Sequence, residues 1–255
     1  MKTDQEKVFD KYEKRGNQNW REMIARDPRR FNAYQQARYD WILKTAGDVR
    51  GKKVLDAGCG GGSLSYLLAK AGASVVGVEY DERGVAFARG NLASADPHKR
   101  LSYEFMQGSV YELPFPDTSF DLVVSCEVIE HLDKPEKMLS EIKRVLKLGG
   151  KVILTTPYRL TELPKDPNHV HEFYPGELLA LMSGHFAEAR VKETHHMFWR
   201  SLYVYGFRFA GKRALAKWTI NALTMWFGWN PFMIDYPEGK FDLFSSLLAW
   251  GTKLK

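Results

Sequence analysis

The sequence predicts an α/β protein built on a doubly wound, mostly parallel sheet. Three observations lead there. Short runs that are apolar or alternating recur at Lys53–Ala57, Ser74–Glu79, Ser102–Gln107, Phe120–Cys126 and Lys151–Thr156. Stretches with helical apolar spacing separate them. A glycine cluster, Gly58-Cys59-Gly60-Gly61-Gly62, follows the first run directly. Strands apolar on both faces need helices on both faces, which is the parallel arrangement.

The elements follow in order. Residues 1–48 read as a mixed-charge helical lid, with Tyr34, Ala37, Trp41 and Ile42 near helical spacing. Residues 49–197 form the core: the five runs, a helix at Leu64, Leu67, Leu68 and Ala71, and another over Arg83–Ala95. A third helix, at Met138, Leu139, Ile142, Val145 and Leu146, is stopped by Gly149-Gly150. His169–Ser183 reads as a loop entering a helix, and Ala187–Glu193 as a further strand. Residues 198–240 are an aromatic cap or a membrane-surface insertion, and 241–255 a final core element, strand or short helix.

Composition bounds the function. With 255 residues, 44% hydrophobic and 27% charged, the chain can bury a large core and is not a disordered one. A net charge of +6 suits an anionic partner without specifying one. The basic residues are scattered; Arg21, Arg26, Arg29 and Arg30 are the nearest thing to a patch, so nucleic acid is not expected as a partner. Two cysteines, Cys59 and Cys126, fit a reducing compartment. The charged N-terminus has no apolar h-region, so the expected location is cytoplasmic. Trp218–Ile234 is uncharged but broken by Asn221, Gly228, Asn230 and Pro231, which argues against a spanning helix.

The glycine loop carries the first chemistry. Glycines between a strand and a helix let the backbone approach a ligand closely. Position 63 is serine, where a dinucleotide fingerprint would carry its third glycine. Asp56 precedes the loop; it would repel a pyrophosphate and pair with an ammonium group, as in the amino-acid end of S-adenosylmethionine. Glu79 ends the second run at the spacing of a carboxylate that accepts from ribose hydroxyls.

With these residues the sequence resembles the class I S-adenosylmethionine-dependent methyltransferases over roughly residues 34–195. The likeness rests on VLDAGCGGG, VVGVEYD, LPFPDTSFDLVVSCEVIEHL and LKLGGKVILTTP. The pattern is most similar to the ubiquinone-biosynthesis O-methyltransferases. The resemblance implies a seven-stranded Rossmann-like sheet and S-adenosyl-L-methionine as cofactor. It implies Asp56, Gly58 and Gly60 along the methionine part, Glu79 on the ribose and Tyr80 beside the adenine. Gly108, Ser109 and Val110 take the adenine edge, with serine where many relatives have aspartate, and Cys126 lies under the cofactor. Arg38, twenty residues before Gly58, stands where the family's arginine reaches the cofactor carboxylate.

Directly after the fourth run comes Glu127-Val128-Ile129-Glu130-His131. A helix starting there would bring Glu127, Glu130 and His131 to one face. His131, with Glu130, is the expected general base for a hydroxyl. The same residues, completed by His169 or His171, suit Mg²⁺ or Mn²⁺, and the pattern is similar to the metal site of small-RNA 2′-O-methyltransferases. The metal set expected here is Glu127, Glu130, His131 and His171. The competing reading is that both glutamates merely favour a helix N-terminus.

In the aromatic segment, Leu215, Trp218, Ala222, Met225, Trp226 and Trp229 form an apolar stripe, with Arg213, Lys217, Asn221 and Thr224 opposite. The stripe reads as core, a substrate lid, or a helix lying at the inner membrane face. Together these features predict methyl transfer to a hydroxyl of a small, lipophilic or phenolic acceptor. The alternatives are an RNA or sugar hydroxyl as acceptor, or a non-catalytic nucleotide-binding or membrane-associated protein of the same fold.

Overall fold

The structure is a computed structural model that describes Tyr12 and residues 16–161, 164, 166–206, 214–236 and 243–254. Most of the first fifteen residues of the expected lid, Arg213, and parts of 198–240 and 241–255 lie outside the described residues.

Seven strands form one sheet: β1 (Lys53–Ala57), β2 (Ser74–Glu79), β3 (Ser102–Gln107), β4 (Phe120–Cys126), β5 (Leu146–Pro157), β6 (Ala187–His196) and β7 (Phe244–Thr252). Their order is β3-β2-β1-β4-β5-β7-β6. The first five pair in parallel, and β7 runs antiparallel between β5 and β6. Successive strand residues face opposite sides. Leu55, Val123, Val152 and Leu154 pack with Met138, Leu139 and Ile142 of the Pro135–Val145 helix. Val54, Val124 and Ile153 pack the other way, with Ile42 of the Ala33–Ala46 helix and with Leu64 and Leu68 of the Ser63–Lys70 helix. Both faces are therefore covered, which is why the strands read as continuous apolar runs.

The chain leaves β1 towards β2 and β3, then crosses to β4 on the other side of β1. The carboxyl ends of β1 and β4 thus flank the point where strand order reverses, and open sheets bind ligands in that crevice.

Several expectations need correction. The third helix stops at Val145, and Gly149-Gly150 lie inside β5 rather than at its end. The β4–β5 register shifts between Phe120↔Leu146 and Leu122↔Lys151. The extra residues bulge out, Gly149 takes φ +76°, and its N–H donates to the Lys253 carbonyl at 2.8 Å. No helix starts at Glu127: Ile129–His131 is a single 3₁₀ turn.

Of the three readings of the aromatic stripe, core packing does not fit. In the Ala214–Phe227 helix Leu215, Trp218, Trp226 and, beyond it, Trp229 are exposed, and only Ala222 is buried and Met225 partly so. Asn221, expected on the polar face, is 0% exposed. Its amide donates to the Pro28 and Phe31 carbonyls at 2.7 and 2.6 Å and accepts from the Ala33 N–H and the Tyr203 hydroxyl. Four satisfied hydrogen bonds outweigh the burial of a few methylenes. Among the described residues no helix is long and apolar enough to cross a membrane.

Candidate active site

The glycine loop is held by backbone geometry. Gly58, Gly60 and Gly62 have φ of +82°, +55° and +80°, and the Gly58 and Cys59 N–H groups donate to the Val78 carbonyl. A Cβ at Gly58 would overlap the Val128 side chain. Asp56, buried at the end of β1, accepts the Ser65 hydroxyl at 2.6 Å. Glu79 spans the loop: Oε2 accepts the Gly60 N–H at 2.8 Å and Oε1 the Asp81 N–H at 3.2 Å.

These residues border a cavity of about 480 Å³. Of the residues singled out in the sequence, Arg38, Asp56, Gly58, Gly60, Cys126, Glu127, Glu130 and His131 line it. Glu79 touches it only through Gly60. Tyr80, 53% exposed, directly follows β2, and Gly108, Ser109 and Val110 directly follow β3; none of the four lines the cavity. The Ser109 hydroxyl accepts from the Tyr111 N–H at 3.1 Å, closing a local turn.

Arg38 reaches the crevice from the Ala33–Ala46 helix. It pairs with Glu127 at 2.8 Å, donates to Gln35 Oε1 at 2.8 Å and lies over the Tyr34 ring. Burial works against its charge, but Glu127 holds the guanidinium firmly protonated. Glu127 has φ +57°, a left-handed conformation that costs a non-glycine residue roughly 1–3 kcal/mol. That backbone aims its carboxylate at Arg38 instead of at Glu130 and His131. Burial, and then Glu127, push the Cys126 thiol up to about 12, so it is no nucleophile.

Glu130 is 1% exposed and accepts the Thr156 hydroxyl at 3.1 Å. Burial first, and the Glu127 charge second, raise it well above the usual carboxyl range. His131 Nδ1 lies 2.9 Å from the Asn168 carbonyl, which can only accept. Nδ1 therefore carries a proton, so in the neutral imidazole the lone pair falls on Nε2, which lies 4.0 Å from Glu130 Oε1.

Ligand atoms of Glu130, His131 and His169 lie within 4.8 Å of one another. His169, not His171, is the third member. His171 is exposed against the Phe173 ring at 4.5 Å, and Glu127 pairs with Arg38, so neither of these two expected residues is part of this cluster. His169 Nδ1 lies 2.7 Å from Glu172 Oε1. Among the described residues, three buried polar atoms of the cavity wall have no hydrogen-bond partner: Arg38 Nε, Glu127 Oε1 and Glu130 Oε1.

Sequence reasoning missed half of the wall. Tyr34 falls one turn before Arg38 and could have been found by helical spacing. Tyr158 follows β5, whose carboxyl end adjoins that of β4. Arg200 and Ser245 also line the cavity, and no local signal marks them.

Residues 55–154 match the family described as a methyltransferase domain. A probable S-adenosylmethionine-dependent methyltransferase of Mycolicibacterium smegmatis is 38% identical over 137 residues, covering 52% of this chain and 50% of that one. The ubiquinone biosynthesis O-methyltransferase of Acinetobacter baylyi is 32% identical over 158 residues, 55% of this chain and 65% of that one. The chain spans about half the length of the first curated relatives it matches. The YcgJ protein of Bacillus subtilis shares the fold, with a TM-score of 0.61 at 22% identity over 86% of this chain and 99% of that one. The match to the methyltransferase-domain family runs from β1 through β5 and takes in the glycine loop at the sheet's reversal point, so the part of the chain that builds this crevice is similar to S-adenosylmethionine-dependent methyltransferases.

Proposed function

We propose that the chain transfers the methyl group of S-adenosylmethionine to a hydroxyl of a small acceptor, with His131 as general base. The observation that carries this reading is the His131 contact: Nδ1 donates to the Asn168 carbonyl at 2.9 Å, so the basic nitrogen of the neutral imidazole is Nε2, on a residue that lines the cavity. When bound, S-adenosylmethionine supplies a sulfonium methyl that an oxygen displaces in line. Asp56 faces the cofactor's ammonium group, Arg38 Nε its carboxylate, and Glu79 its ribose. Tyr80, Gly108, Ser109 and Val110 border the adenine, and Cys126 lies beneath. The acceptor sits on the His131 side, and the enzyme's share is positioning plus removal of one proton by Nε2.

The test follows methyl-labelled S-adenosylmethionine into the lipid, RNA and aqueous fractions of a host-cell extract. His131→Gln is expected to lower transfer by about 10²–10⁴-fold with cofactor affinity unchanged. Undiminished transfer would overturn the assignment. Label in RNA would favour the nucleic-acid acceptor instead.

A divalent cation is the second reading, favoured by the Glu130, His131 and His169 cluster. Both histidines have Nδ1 engaged, by a carbonyl and a carboxylate, which orients Nε2 as in metal-binding histidines. One carboxylate and two imidazoles suit Mn²⁺ better than Mg²⁺. Such an ion would supply Lewis-acid help to the acceptor oxygen. Metal analysis of the purified protein, with activity before and after chelation, decides it; full activity in stripped protein removes the ion from the reaction.

The exposed aromatic side chains of the insertion support a peripheral position at an anionic membrane face, where a lipophilic acceptor would be met.

A further inference from the structure

The cavity contains a second arginine that methyl transfer leaves unused. Arg200 lies on the Met197–Tyr205 helix, half-buried, and lines the same cavity as Arg38 and His131. Arg38 is matched by Glu127, whereas Arg200 has no carboxylate partner among the described residues. Among the described residues its one side-chain hydrogen-bond contact is from Nη1 to the Met197 thioether sulfur at 3.8 Å. A thioether is a weak acceptor, and a guanidinium brings five donors in a planar fork that stays charged.

The other acidic side chains named at this end of the cavity are each engaged elsewhere through at least one oxygen. Glu127 holds Arg38, Glu172 holds His169, and Asp166 accepts from the Asn168 backbone and side chain at 3.0 and 2.6 Å. Glu130 is turned to Thr156, whose hydroxyl it accepts at 3.1 Å. His195, the residue next to this helix's cap, adds no negative charge, since it is buried as a neutral imidazole. A partly desolvated cation without a counter-ion is costly. The acid that matches it must come with the ligand.

We propose that Arg200 binds an acidic group of the acceptor, a carboxylate or a phosphate, so that the substrate class is a hydroxylated anion. This deepens the methyl-transfer reading, on which the word acceptor rests. The planar fork meets the two oxygens of either group side by side, while the hydroxyl to be methylated points to His131.

Protein loaded with S-adenosylhomocysteine is titrated calorimetrically with phenol, 4-hydroxybenzoate and 4-hydroxyphenyl phosphate. These share one hydroxyl and differ in charge. At least one anion is expected to bind about tenfold or more tighter than phenol, and the gap narrows at high salt. Which anion prevails separates carboxylate from phosphate. Arg200→Gln should erase the gap, Arg200→Lys should keep part of it, and both should hold S-adenosylhomocysteine as the wild type does. Equal affinities for all three compounds, or no binding of either anion, overturns the proposal. So does weakened S-adenosylhomocysteine binding in Arg200→Gln, which would assign the guanidinium to the cofactor. An anion that binds through Arg200 but takes no methyl group sinks hydroxyl transfer and leaves the anion site standing.

Discussion

Gly58 and Glu127 share a left-handed backbone within the same site, yet only one of them announces it. Gly58 takes φ +82° at no steric cost, and the space a Cβ would need is filled by Val128. Gly58→Ala is therefore expected to weaken S-adenosylhomocysteine binding by about tenfold or more and to lower the melting temperature. Calorimetry at one protein concentration reads the first effect, and unchanged affinity would remove this loop from cofactor binding. A glycine after a strand is visible in the sequence because glycine alone does this cheaply. Glu127 is not, since nothing in its side chain foretells φ +57°, and helical spacing wrongly joined it to Glu130 and His131. The Arg38 ion pair is what the strained backbone serves, and that partner comes from a helix that precedes β1.

At the scale of elements, the insertion between β6 and β7 shows where periodicity misleads. The stripe rule assumes that the apolar face is the buried one. Here Asn221 reaches backbone carbonyls at Pro28 and Phe31, 193 and 190 residues away in sequence, and turns its own face inward. Those carbonyls are ends of a loop before the Ala33–Ala46 helix, so no local pattern records their need. The face left outside carries Trp226 at 59% and Phe227 at 76% exposure. Such a patch is unusual on a surface without a partner. Wild-type protein is expected to co-sediment with phosphatidylglycerol vesicles at low salt, and Trp226→Ser with Phe227→Ser to weaken this about tenfold. Wild-type protein that stays in the supernatant would end the membrane reading. The core helices and strands, by contrast, follow their patterns because each buries its apolar face against the neighbouring element.

At the scale of the whole molecule, the glycine-loop side of the cavity is local and the opposite side is not. Asp56 through Gly62 is one continuous stretch, which is why it could be read directly. The opposite wall gathers Tyr34, Glu130, His131, Tyr158, His169, Arg200 and Ser245 from six separate segments, and only Glu130 and His131 sit in a motif. One buried histidine links two of those segments, Tyr34 through its ring and Ser245 through its backbone carbonyl, which accepts the Ser245 hydroxyl at 3.0 Å. His195 Nε2 donates to the Tyr34 carbonyl at 3.1 Å, and its ring stacks on Phe232. Burial, and then the Arg38 charge, lower its pKa from 6.5 to about 3, with Arg200 adding to the effect. The native state therefore refuses a proton that the unfolded chain accepts below 6.5. Its contribution is fully present above that value and is lost as pH falls from 6.5 towards about 3, by up to about 1.4 kcal/mol per unit. Urea unfolding at about pH 7.5 and about pH 5 should show wild-type stability falling on acidification and His195→Gln falling less steeply. Equal slopes would mean that the native fold takes the proton at this junction. The Tyr34 carbonyl would then be holding an imidazolium beside two arginines, and the positive field assigned to this side of the cavity would be weaker than the geometry implies.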